Sequence, residues 1–158
     1  MEEKLTHIDT KGNAKMVDIG AKEITRRIAR ASALVRMSPK TLDAIRENRL
    51  KKGEALSVAR LAGILGAKKV DELVPLAHTI PLDHVSVNFG FQDNGIRVTA
   101  EAASTSRTGV ELEAITSAML ASLAIYDMAK AIDRGMEITS VRLDYKSGGK
   151  SGTWTREE

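Results

Sequence analysis

The sequence predicts an α+β fold: a ferredoxin-like sandwich in which helices pack on a four-stranded antiparallel sheet. Three observations carry this. Val85, Val87, Phe89 and Phe91 alternate with polar residues, and Ile96, Val98, Ala100 and Ala102 do so again beyond Asp93-Asn94-Gly95, the pattern of a β-hairpin. Gly109 to about Arg134 is the longest helical stretch and stops at Gly135. The element order is strand, helix, helix, strand, strand, helix, strand, that of a split β-α-β-β-α-β arrangement.

In chain order, residues 1–15 show little periodicity and are expected to be loosely ordered, as are 147–158. From Ile24 to Met37 charge gives way to alternation, with Ala31, Ala33, Val35 and Met37 on one side, so the second half reads as a strand. Ser38-Pro39 supplies a cap and a first helical residue for a helix to about Arg49, ended by Lys52-Gly53. Within Leu56 to Lys68, the apolar residues Val58, Leu61, Ala62 and Leu65 recur at helical spacing. Val70 to Leu76 is a short helix or turn, Pro75 and Pro81 bracket a loop containing LAHTI, and Ile138 to Tyr145 alternates as the last strand. The apolar face of Val85, Val87 and Phe89 requires cover from helices or from a second chain. No linker or repeat divides the chain, so 1–158 reads as a single domain.

Composition narrows the function. With 158 residues, 42% of them hydrophobic, there is material for one core. The absence of cysteine removes disulfides, thiolate nucleophiles and cysteine metal sites, and fits a reducing, cytoplasmic setting. The longest apolar run, Ala118 to Ile125, is interrupted by Ser122 and falls well short of the roughly 18 residues of a membrane span. The N-terminus is charged and shows no signal peptide. A net charge of +3 attracts anions weakly, and 3% aromatic content argues against a base-stacking platform.

Three polar signatures stand out: TGVELEAIT (108–116), IYDMAKA (125–131) and KSGGKSG (146–152). Lysines and glycine-freed backbone N–H groups suit phosphate, so the three together point to a site for an anionic small molecule. A P-loop is excluded, because G-x-x-x-x-G-K-[ST] would require glycine where Asp144 stands. On the long helix, Glu113, Thr116, Ser117, Leu120, Ala124, Asp127 and Lys130 fall near one stripe. Glu113 and Asp127 are roughly 21 Å apart by helical rise, so a compact site using both draws them from two copies of the helix. His78 lies on the proline-bracketed loop, and no His/Asp/Glu cluster has metal-ligand spacing, so no metal is predicted.

MVDIGAKEITRRIARASALVRM (16–37), KKGEALSVARLAGILGAKKVDELVPLAHTIPL (51–82), GVELEAITSAMLASLAIYDMAKAIDRGM (109–136) and VRLDYKSGGKSG (141–152), with LTHID at 5–9, closely resemble the MoaC family, the cyclic pyranopterin monophosphate synthases of molybdenum cofactor biosynthesis. The chain departs from the family's usual L-C-H-P-L at Ala77 and Thr79, and from its usual cysteine at Ala129. The resemblance implies a lyase acting on 3′,8-cyclo-7,8-dihydro-GTP, delivered by a radical partner enzyme, with pyrophosphate released. It implies Asp127, Lys52 and Lys130 as catalytic residues, Asp127 first as general acid/base. Leu76, Ala77, His78, Leu112, Glu113 and Lys146 would bind substrate, with Arg27 and Asp18 at further polar positions. It implies no tightly bound cofactor beyond magnesium accompanying the triphosphate, no nucleic-acid or membrane partner, and a hexamer, a trimer of dimers, with the site between chains.

Two other classes remain open on the residues alone. Ala55 to Leu76 imitates a helix-turn-helix, with Arg60, Lys68 and Lys69 as basic residues for DNA, although basic residues are spread through the chain. A non-catalytic nucleotide-binding regulatory domain is the other.

Overall fold

The computed structural model describes residues 8–157. Its elements are β1 (Thr25–Arg36), α1 (Pro39–Arg46), α2 (Ala55–Ala67), α3 (Val70–Leu73), β2 (His84–Gln92), β3 (Gly95–Ser106), α4 (Glu111–Ala129), β4 (Glu137–Ser147) and β5 (Trp154–Thr155). The architecture is α+β: an open antiparallel sheet in the order β2-β3-β1-β4-β5, with helices packed on it. The sheet therefore has five strands, not four. The added strand lies in the stretch 147–158, for which the sequence shows no element. Positive φ at Gly148, Gly149 and Gly152 lets the chain reverse after β4, and Lys146 then pairs with Trp154. Two residues carry no periodicity to read. For residues 1–7 the expected loose ordering concerns positions outside the described ones.

β1 runs through the whole of Thr25–Arg36 rather than its second half alone. Arg26 and Arg30 fall on the face opposite the buried alanines, whereas Arg27 shares the side of Ala29. Arg30 forms an ion pair with Glu101 of β3 at 2.6 Å and lies over the Tyr145 ring of β4 at 5.0 Å. The opposite face is the core: Ala29, Ala31, Ala33 and Val35 pair with Ala102, Ala100, Val98 and Ile96, all buried. Gly95 ends the hairpin because a Cβ there would strike the Val35 carbonyl.

α1 is capped as expected: the Ser38 hydroxyl accepts from the Thr41 N–H at 3.3 Å, with Pro39 at the first position. It stops short of Arg49 because Asn48 turns left-handed at φ 53°. α4 likewise ends at Ala129 rather than near Arg134. Asp133 leaves the helix axis to accept from the Ser38 N–H and the Thr41 hydroxyl, both at 3.0 Å, which ties the end of α4 to the start of α1.

α2 is a helix, but its stripe is inverted. Val58, Leu61 and Leu65 are exposed, while Ala55, Ala59, Gly63, Gly66 and Ala67 are buried. The buried side is small because α2 lies almost against α4. A Cβ on Gly63 would come within 2.9 Å of the Ser117 carbonyl and of Val87, and one on Gly66 within 2.9 Å of Leu120. Val87 thus receives its cover from α2 of the same chain. α4 is long and apolar enough to cross a membrane by length and composition, yet half of it is buried in the fold, as for a core helix. The helix-turn-helix reading also loses its parts. α3 has four residues, too few for a recognition helix; Arg60 lies over the Phe89 ring and donates to the Val87 carbonyl; and Lys69 pairs with Glu72.

Candidate functional site

The predicted residues gather at the two ends of α4. At its start, two cavities adjoin, sharing Lys22, Thr108 and Gly109 in their walls. The larger, about 760 Å³, is lined by Lys22, Arg27, Arg107, Lys146 and Lys150, with Glu23 and Glu111 as its carboxylates. Five cations face two anions, so the cavity favours a polyanion. Arg27 projects from β1 and donates to the carbonyls of Ser106 and Arg107 at 3.4 and 3.3 Å. Gly149 lies flat against that guanidinium, where a Cβ would collide with it. Lys146, at the end of β4, donates to Glu111 at 2.6 Å.

The smaller cavity, about 240 Å³, is lined by Val17, Ile19, Leu76, Ala77, His78, Leu112 and Glu113 among others. His78 Nε2–H donates to the Val17 carbonyl at 2.7 Å, which fixes the ring. The Thr79 hydroxyl donates to Asp71 at 2.6 Å and so restrains the loop. Glu113 is 3% exposed, and its Oε2 has no hydrogen-bond partner. Burial pushes its carboxyl up to about 7, with repulsion from Glu111 and Asp71 adding to the effect. It therefore exchanges a proton near neutral pH. Asp18 is exposed and accepts from the Gly20 N–H at 2.8 Å; it is not among the residues lining either cavity.

At the far end of α4 stand Lys52, Asp127 and Lys130. Lys130 reaches Asp127 Oδ1 at 2.7 Å; Lys52 reaches Oδ2 at 2.9 Å and the Asp127 carbonyl at 2.8 Å. Hydrogen bonds from Lys130 and then Lys52 hold the Asp127 carboxyl down at about 2. At neutral pH it is an anion shared by the two lysine amines. The cluster is about half exposed, in contrast to Glu113. Within one chain the two groups stay apart by the roughly 21 Å of helical rise between Glu113 and Asp127. Among the described residues, no group of three or more His, Asp or Glu is placed to hold a metal ion.

Sequence reasoning missed Glu111, Lys22, Arg107, Thr108 and Gly109 as wall residues. Thr108, Gly109 and Glu111 lie inside the TGVELEAIT signature, and Arg107 precedes it, so the signal was the run itself rather than its single Glu113. Lys22 lies on the otherwise featureless approach to β1.

Comparison with known proteins follows the same residues. The model of the MoaC family matches residues 16–149. A cyclic pyranopterin monophosphate synthase of Novosphingobium aromaticivorans is 54% identical over 154 residues, covering 98% of both chains. Proteins of the same name from Rhodospirillum rubrum and Brucella ovis are 54% and 52% identical, over 96% and 98% of this chain and 92% and 94% of theirs. A match of that length and identity shows that the chain belongs to the MoaC family.

Proposed function

We propose that this protein is a cyclic pyranopterin monophosphate synthase of molybdenum cofactor biosynthesis, a lyase that converts 3′,8-cyclo-7,8-dihydro-GTP to its product with release of pyrophosphate. The observation that carries the reading is the near-full-length identity to proteins of that name, with the cation-lined cavity at the start of α4 as its chemical counterpart. Arg27, Lys146, Lys22, Arg107 and Lys150 suit a triphosphate. Leu76, Ala77, His78, Leu112 and Glu113 form a narrower wall for the base and sugar portion. Glu113 is placed to take or give a proton at neutral pH. Lys52, Asp127 and Lys130 are the catalytic residues, with the anionic Asp127 fixing both lysine amines. Asp18 orders the approach to β1.

The two ends of α4 meet in a homo-oligomer, a hexamer built as a trimer of dimers, in which one chain supplies the cavity and another supplies Lys52, Asp127 and Lys130. The exposed apolar residues Val58, Leu61 and Leu65 of α2 and Met119 and Leu123 of α4 support association. The ferredoxin-like reading is supported by the order β2-β3-β1-β4, with β5 as an addition at the edge. The remainder of the proposal is a single domain over 1–158, a cytoplasmic setting, substrate handed on by a radical enzyme, and no tightly held cofactor beyond magnesium accompanying the triphosphate.

The test is to mix purified protein with the cyclised GTP intermediate and measure pyrophosphate and the cyclic phosphate product. Turnover supports the synthase. Tight binding without turnover turns the reading into a regulatory domain, and salt-dependent duplex binding alone turns it into a DNA-binding protein.

A further inference from the structure

The larger cavity contains an ion pair that the proposed reaction does not use. Lys146, a cation expected to meet phosphate, is bound to Glu111 Oε1 at 2.6 Å, and both side chains are only about a quarter exposed, at 27% and 26%. Glu111 is the first residue of α4, where a carboxylate favours the helix dipole, but the dipole does not explain its direction. The carboxylate folds back over Gly109, where a Cβ would collide with it, and crosses to β4. Residue 109 has no side chain along the path the Glu111 carboxylate takes. α4 has no side-chain cap, so Glu111 is not held there by capping either.

We infer that Glu111 is an internal stand-in for phosphate: its carboxylate neutralises Lys146 while the cavity is empty, gives the lysine up when a polyphosphate enters, and takes it back as pyrophosphate leaves. Glu111 acts through Lys146 and is a positioning residue that sets affinity for the phosphate end and the rate of product release. The inference rests on the cavity being the phosphate site of the proposed function. A ligand that recruits Lys146 must break this pair, and Arg27, Arg107, Lys22 and Lys150 supply the attraction that lets a multiply charged chain do so.

The probe is inorganic pyrophosphate, measured by calorimetry on the intact protein. Glu111→Gln is expected to bind it roughly fivefold more tightly, the size of one partly exposed ion pair. Gly109→Ala, which pushes the flexible carboxylate aside and leaves Glu111 in place, is expected to tighten binding in the same direction. In a Lys146→Ala background, Glu111→Gln is expected to change nothing, because its effect runs through the lysine. In turnover, Glu111→Gln is expected to lower kcat through slower pyrophosphate release while KM falls with it. Weaker or unchanged pyrophosphate binding in Glu111→Gln overturns the inference: weaker binding makes Glu111 a ligand contact, and unchanged binding makes it a helix-end acid. An equal effect with and without Lys146 overturns it too. If the unaltered protein binds no pyrophosphate at millimolar concentration, the phosphate reading of the cavity fails as well; if it binds and turns over normally, only the role of Glu111 is at stake.

Discussion

The two ends of α4 treat the same functional group in opposite ways. Glu113, in the first turn of the helix, is buried with an oxygen that has no partner, and its carboxyl rises to about 7. Asp127, near the other end, is half exposed and grasped by two lysines, and its carboxyl falls to about 2. Burial without a partner favours the neutral acid; exposure beside two cations favours the anion. A pair of groups whose environments push their proton affinities apart is the arrangement in which one group exchanges protons and the other holds a fixed charge.

The comparison is broken most directly at the lysine end. Asp127→Asn leaves Lys52 and Lys130 without their shared anion, and pyrophosphate release is expected to fall roughly 10²–10⁴-fold with the fold intact. Near-normal release from a folded variant would remove Asp127 from the mechanism. The same variant tests whether the two ends meet across chains. Inactive Glu113→Gln and Asp127→Asn chains, unfolded and refolded together, are expected to regain activity, because some interfaces then carry an unaltered pair. Mixed oligomers that stay as inactive as their parents would place both groups in one chain's site or one of them outside it.

At the buried end the comparison is sharpened by pH. The unfolded chain releases the Glu113 proton near its ordinary 4.5, whereas the folded protein keeps it up to about 7. Between those values the folded state holds more protons, so stability falls as pH rises through the window and levels off above it. The full gap corresponds to about 3 kcal/mol. Glu113→Gln removes the slope: its stability relative to the parent, measured by denaturant unfolding, should improve between pH 5 and pH 8. Parallel profiles for the two proteins would mean that Glu113 is solvated or partnered.

How far this was legible in the sequence depends on what each residue does. The hairpin and α4 were readable because their apolar periods run for many residues without a break. The stripe of α2 misled, because Val58, Leu61 and Leu65 carry the helical period while the packing is made by glycines and alanines, which hydropathy ranks below leucine. β1 was half hidden by the charge at its start and by Arg30, whose partners, Glu101 and Tyr145, come from other strands. In the site, Lys146 and Glu113 stood out by motif, but Glu111 did not: its meaning lies in a contact with a lysine 35 positions later. The close approach of α2 and α4 is open to its own test. Gly63→Ala sets a methyl group 2.9 Å from the Ser117 carbonyl and from Val87. It is expected to cost about 1–3 kcal/mol, read as a lower urea midpoint with an unchanged slope; no change would mean that the helices stand further apart.

The smallest expected difference separates two lysines of one loop. Lys146 is part of β4, paired with Ala29 on one side and Trp154 on the other, so its backbone is fixed and its amine is already aimed into the cavity. Lys150 lies exposed in the turn between β4 and β5, where a long side chain loses more freedom in reaching a ligand. Lys146→Ala should therefore weaken pyrophosphate binding about tenfold and Lys150→Ala no more than about threefold. The affinities should converge as salt is raised, because the exposed contribution is screened first. Equal losses at low salt would mean that the loop closes over the ligand and that the order at the end of β4 gives Lys146 no advantage.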